Sequence, residues 1–182
     1  MKSKNAFLYL AALAAFFLLG CGTAFVLRAL DIKADSPAPL EGGQALSLPG
    51  LTLRVPESYF LEDYTELTDE ADVLFTVIAQ DGAQALYLHG YTNEQGDTIS
   101  DYPEQELVTY YTHAGCEEVR TRVIGGRRFI CYSAQAQADD GRYQIWYAYE
   151  TWDAALHLVI ETNMYSQDVL PILMTMEFTE ET

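Results

Sequence analysis

Ten lysines and arginines against 27 aspartates and glutamates leave this 182-residue chain with a formal net charge of −17. A surface this acidic repels phosphate backbones and anionic lipid headgroups, which excludes nucleic acid as a partner. Apolar residues make up 49 % of the chain, enough to bury a core without help from metals.

The first element is an uncharged run, Asn5–Leu27. It meets the roughly 20 apolar residues that a helix needs to cross a bilayer. Lys2 and Lys4 precede it, which favours residues 1–4 in the cytoplasm and export of the chain beyond the run. Inside the run, Leu18-Leu19-Gly20-Cys21 resembles a bacterial lipobox, with Ala6–Phe17 as the apolar region of a signal peptide. Cys21 is then a lipidation candidate. Phe25-Val26-Leu27 carry the run past that cysteine, as a spanning helix requires. The segment 5–27 is thus either a transmembrane helix or a lipoprotein signal, and both place the remaining chain outside the cytoplasm. Residues 28–43 contain Ser36-Pro37-Ala38-Pro39 and Gly42-Gly43, the composition of a linker. Residues 44–182 are left as one extracytoplasmic domain.

Within the domain, Leu51-Thr52-Leu53-Arg54-Val55 alternates as a strand, and Pro56 ends it. Residues 61–72 carry six acidic side chains and few apolar ones, the pattern of a solvated acidic loop with room for a short strand. Oxygen ligands there suit a hard cation, but the spacing matches no calcium loop. Val73–Ala79 and Ala83–Tyr91 flank Asp81-Gly82, a hairpin signal. A helix comes next, with Asp101 as its cap, Pro103 in its first turn and Gly115 at its end. Leu107, Tyr110, Tyr111 and Ala114 form its apolar face.

Four strand-like runs succeed the helix: Glu117–Val123, Arg127–Ala134, Arg142–Glu150 and Ala155–Thr162. Their short connections imply an antiparallel meander. Tyr143, Ile145, Tyr147 and Tyr149 share one face of their strand, with Trp146 and Ala148 on the other, so both faces are covered. The last helix is expected at Gln167–Thr175, capped by Ser166, with Pro171 tolerated near its start. The fold class is therefore α+β, an antiparallel sheet of about six strands sandwiched between helices.

Cys116 and Cys131 form an even pair in an exported domain, which suggests a disulfide. Two buried free thiols are the alternative. Arg120, Arg122, Arg127 and Arg128 fall within nine residues of an otherwise acidic domain. Guanidinium forks recognise carboxylate and phosphate, so this hairpin either docks an anionic partner or pairs internally with Glu117, Glu118 and the acidic loop. His89, His113 and His157 stand in no ligand spacing, so neither a metal nor a cofactor is expected. The domain's tyrosines and tryptophans read mainly as core, with a sugar or peptide platform as the binding alternative.

Three stretches resemble the PsbP/Mog1-type α/β/α sandwich of exported bacterial proteins. They are Val55-Pro56-Glu57-Ser58-Tyr59, with Tyr59 where such domains often carry Trp; Gly125-Gly126-Arg127 at the start of a strand; and the closing Val169–Phe178. The resemblance implies a non-enzymatic binding or assembly module tethered to a membrane, with a protein or an envelope polymer as partner. A cell-envelope hydrolase with a dispersed active site is the alternative, since no compact catalytic motif is present.

Overall fold

The computed structural model describes residues 37–68, 71–137 and 143–179. The expected anchor 5–27, its Cys21, most of the linker and Arg142 lie outside the described residues. Among the described residues no helix is long and apolar enough to cross a membrane.

The described chain runs through β1 (Gln44–Leu48), β2 (Leu51–Val55), β3 (Phe60–Asp63), β4 (Val73–Asp81), β5 (Gln84–Thr92), α1 (Glu104–His113), β6 (Glu117–Ile124), β7 (Arg127–Gln137), β8 (Tyr143–Trp152), β9 (Leu156–Thr162), α2 (Ser166–Leu173) and β10 (Glu177–Phe178). The architecture is α+β. A seven-stranded sheet has the order β3-β4-β5-β9-β8-β7-β6, and a three-stranded sheet has the order β1-β2-β10. Every pairing among them is antiparallel. The expectation of about six strands is corrected to ten in two sheets. The additional ones are short: β1, the acidic edge strand β3 and the two-residue β10.

The large sheet is two meanders, β3-β4-β5 and β6-β7-β8-β9, joined where β9 pairs with β5. Helix α1 makes the connection between them, so β6 lies at one edge and the last strand of the meander returns to the middle. Cross-strand partners point to the same side of a sheet. On the inner face, Phe75, Val77, Leu86, Leu88, Leu158, Ile160, Phe129 and Tyr149 share one core with Leu51, Leu53 and Val55 of β2 and with Val169, Leu170, Ile172 and Leu173 of α2. Fully burying each of these side chains contributes roughly 1.5–3 kcal/mol before conformational entropy is counted. On the outer face, α1 covers the β6–β7 end through Leu107, Val108 and Tyr111, which meet Ile99, Val119, Ile130, Tyr132 and Trp152.

Local details depart from expectation at both helices. Asp101 caps no α-helix. It closes a capping box with Thr98 in a 3₁₀ turn, Ile99–Asp101, while Pro103 occupies the N-cap of α1. The buried face of α1 is Leu107, Val108 and Tyr111. Tyr110 is 71 % exposed and Ala114 faces solvent, because the helix is rotated toward Ile130 and Tyr132. Ser166 is the first residue of α2 and not its cap; its hydroxyl meets the Tyr149 hydroxyl at 3.2 Å. Pro171 is the sixth residue of that helix, and its carbonyl accepts the Leu40 N–H at 2.8 Å. Leu40 also packs on the inner core, so the end of the expected linker is docked and the compact unit begins at Ala38.

Candidate functional site

The outer face of the large sheet beyond α1 carries an aromatic chain. β5 contributes Tyr87, His89 and Tyr91, spaced two apart and therefore on one side. The β5–β9 register sets Tyr91 opposite His157, and the β8–β9 register sets Trp152 opposite His157. The rings then touch in sequence. Trp146 meets Tyr87 at 5.3 Å between centroids, Tyr87 meets His89 at 6.5 Å, and His89 meets Tyr91 at 6.5 Å. Tyr91 meets His157 at 6.0 Å, His157 meets Trp152 at 5.8 Å, and Trp152 meets Tyr102 at 5.9 Å. All but the more exposed Tyr102 are half-buried.

Behind one end of this chain lies Glu150, only 8 % exposed. Its Oε1 is 2.7 Å from His157 Nε2, and its Oε2 accepts the Tyr132 hydroxyl at 3.2 Å. The Tyr111 phenol lies within electrostatic reach of the same carboxyl. Burial first, and the charge of Glu150 second, push the Tyr111 and Tyr132 phenols far above their ordinary range, so both stay protonated and Tyr132 remains a donor. In front of Glu150 is a cavity of about 190 Å³ lined by Asn93, Gln95, Asp97, Tyr102, Tyr111, Glu150, Trp152 and His157. Asp97 accepts hydrogen bonds from the Tyr102 hydroxyl and the Asn93 amide, which hold it below the usual carboxylate range.

A wider depression of about 640 Å³ lies near the β8–β9 turn. Its two charged side chains, Arg127 and Asp153, bind each other.

The four arginines do not form one patch. Arg127 pairs with Asp153 and lies 3.7 Å over the Phe178 ring. Arg128, on the other side of β7, donates to the carbonyls of Tyr102 at 2.9 Å and Ile99 at 3.3 Å. Arg120 and Arg122 share the inner side of β6, opposite Cys131 and Phe129; Arg120 is exposed and Arg122 half-buried. Arg127 thus pairs with Asp153, and Arg128 pairs with backbone carbonyls.

The cysteines do not pair either. Both are free thiols. Cys131 lies in the inner core, where burial pushes its thiol up to about 12 against the lowering effect of Arg122 and Arg120. Cys116 lies within electrostatic reach of Glu150 and Tyr132, on the outer side. The alternation of β7 turns Cys131 inward and Tyr132 outward, so the sheet separates the two sulfurs, whereas a disulfide needs Cβ atoms within about 4.5 Å. The expected bridge is corrected to two free thiols.

The acidic stretch folds as β3 and a 3₁₀ turn, Thr65–Leu67. Glu62 accepts the Tyr64 hydroxyl at 2.7 Å and Asp63 accepts the Thr65 N–H at 2.9 Å. Among the described residues, no three His, Cys, Asp or Glu side chains converge to hold a metal. His89 lies 3.9 Å from Glu161, and His113 is exposed in the last turn of α1. Of the tyrosines, Tyr102, Tyr110 and Tyr143 are exposed and Tyr149 is core.

Sequence reasoning missed Glu150, Asp97 and Asn93. Glu150 had a signal, a carboxylate inside the aromatic run Tyr143–Trp152. Asn93 and Asp97 carried none, because their role comes from the fold of the loop before α1.

No protein-family model matches the chain, and no curated protein does. Among solved structures, it is similar to a crystal structure of a protein from Bacteroides thetaiotaomicron VPI-5482. The identity is 11 % and the TM-score 0.53, over 78 % of this chain and 50 % of that one. The likeness is one of fold, and this chain spans half of that structure's length.

Proposed function

We propose that this chain is an extracytoplasmic binding or assembly module held at the membrane by its N-terminal run. Asn5–Leu27 serves as a spanning helix or as a lipoprotein signal ending at Cys21, and residues 44–182 work outside the cytoplasm. The PsbP/Mog1-like sequence features agree with such a role. The observation that carries the binding reading is the aromatic chain from Trp146 to Tyr102, half-buried on a sheet face that α1 covers at one end only. Half-exposed aromatic rows are the surfaces on which proteins hold ligands and partners. The partner is a protein or an envelope polymer; the net charge of −17 argues against nucleic acid.

Two measurements test this. Protease added outside intact cells is expected to digest the domain, and a protected domain would refute the location. A photo-crosslinking residue at Glu161, exposed on the outer face, is expected to capture partners that the same residue at Gln167, on α2, does not. Equal capture at both positions would refute the assignment of the face.

The His157–Glu150 pair supports a second reading, a cell-envelope hydrolase, because a carboxylate that orients an imidazole is half of a proton-transfer device. Among the described residues no serine or cysteine hydrogen-bonds His157, so its nucleophile would be an activated water. Ester or amide hydrolysis lost in His157→Asn would establish it.

A further inference from the structure

We propose that the cavity before Glu150 binds an organic cation, specifically a quaternary ammonium group. The inference rests on the binding-module reading and names the ligand class of one end of its face.

Three observations point there. The first is shape. Trp152 stands at 64° to Tyr102 and at 71° to the His157 ring, and Tyr111 closes another side. Rings set near right angles make adjoining walls of a half-open pocket, whereas a sugar platform needs a ring lying flat and open. The pocket holds about 190 Å³, the share of liquid occupied by about six waters. That suits a compact headgroup.

The second is charge. Asp97 and Glu150 line the cavity, and no lysine or arginine does. The one titratable base is His157, already engaged with Glu150. Arg128 fixes the Ile99 and Tyr102 carbonyls and is not among the lining residues. The acidic domain around the cavity raises the local concentration of cations further.

The third is hydrogen bonding, and it separates classes of cation. Both carboxylates are already supplied with donors: Glu150 by His157 and Tyr132, and Asp97 by Tyr102 and Asn93. Each carboxylate oxygen thus has one of its two lone pairs occupied, so the cavity keeps its negative charge beside aromatic rings while offering fewer free acceptors. A sugar or a primary ammonium brings hydroxyl or N–H donors that need acceptors. A quaternary ammonium brings none and is attracted by field and ring faces alone.

The test uses the full-length chain in detergent, with choline as probe and 3,3-dimethylbutanol as its neutral isostere. Saturation-transfer NMR on the N-methyl protons, with tryptophan fluorescence for affinity, is expected to show choline binding about ten-fold or more tighter than the isostere. Asp97→Asn and Tyr102→Leu, both on the accessible rim, are each expected to weaken choline several-fold while the thermal unfolding transition stays cooperative. Absence of choline binding, equal binding of the isostere, or a disaccharide that binds where choline does not would overturn the proposal. So would undiminished affinity in both rim variants. The isostere comparison needs no variant, so misfolding cannot obscure it. Failure here leaves capture at Glu161 standing, and failure of that capture leaves choline binding standing, so the two readings fall separately.

Discussion

Gly90 pairs with Phe75 across β4 and β5, and the Phe75 ring lies where a glycine Cβ would be. A methyl there overlaps three ring carbons of a side chain only 2 % exposed. Gly90→Ala is expected to destabilise the domain by about 1–3 kcal/mol, read from urea unfolding, because the ring has no free volume to enter. Asp153 acts through polarity. Its Oδ1 accepts the N–H groups of Ala155 and Leu156, both at 2.9 Å, and its Oδ2 holds Arg127. Its carbonyl accepts the Asn93 amide, so one residue ties the β8–β9 turn to the loop after β5 and to the start of β7. Burial pushes the Asp153 carboxyl up, but the Leu156 and Ala155 N–H groups and Arg127 outweigh it and hold the carboxyl below its ordinary value. A carboxyl depressed in the folded state stabilises fully above the unfolded value of about 3.9, and loses that contribution as pH falls through the lower folded value. Asp153→Asn is therefore expected to lower the urea midpoint at neutral pH, with the gap to wild type closing as pH falls from about 4 toward 2. The thiols give a third expectation at this scale. With Cys116 and Cys131 free and Cys131 raised to about 12 in the core, alkylation within the folded domain at mildly alkaline pH should map to Cys116 before Cys131. Unfolding without reductant should then expose both, and a resistant pair would contradict the free-thiol assignment.

At the scale of elements, α1 is closed by a Schellman motif. The Cys116 N–H reaches the Tyr111 carbonyl at 3.0 Å and the Gly115 N–H reaches that of Thr112 at 3.1 Å, with Gly115 at φ 93°. Gly115→Ala meets no steric neighbour, so its cost is backbone strain alone, about 1–2 kcal/mol. Hydrogen exchange should speed up in Glu104–His113 more than in β5 or β9, because α1 packs mainly on the β6–β7 end. That helix stop was readable in the sequence for the same reason it is sensitive to substitution: only glycine adopts the angle freely. Three of the four long hairpins carry turn signals that were readable too, since alternation flanked by Asp81-Gly82, Gly125-Gly126 or Trp152-Asp153 leaves few other folds. The edge strand β3 was legible only as room for a short strand in an acidic loop, because Glu62 and Asp63 look like loop, although charge is what protects an edge from pairing with other chains. The rotation of α1 was hidden as well. Leu107 and Tyr111 fit both Tyr110/Ala114 and Val108 as companions, and only the position of Ile130 and Tyr132 decides between them. The site suffered most. Its rings come from β5, β8, β9 and the loop before α1, and alternation shows each strand's outer face without showing that β9 returns beside β5. That one non-consecutive pairing joins Tyr91 to His157 and completes the aromatic chain.

For the whole molecule the dominant fact is a net charge of −17. Among the described residues Arg127 pairs with Asp153, and imidazole nitrogens lie against Glu150 and Glu161. Like charges spread over a compact fold repel one another and favour expansion, and that repulsion is long-ranged. Its reach is set by the Debye length, about 30 Å at 0.01 M salt and about 10 Å at 0.1 M. Raising neutral salt from about 10 mM to about 300 mM should therefore shorten the repulsion below the width of the domain and raise the thermal midpoint by several degrees, the shift that ~1 kcal/mol produces. NaCl and KCl should act alike, because the effect is screening; sulfate would add surface exclusion and confuse the two. A midpoint that stays flat or falls with NaCl would mean that attractive pairs outweigh repulsion, contrary to the expectation from a net charge of −17. The same screening should weaken choline at the Glu150 cavity, since part of its attraction is the field of the whole domain. Affinity and stability should thus move in opposite directions with salt, a signature that neither a neutral ligand nor a charge-balanced fold would give.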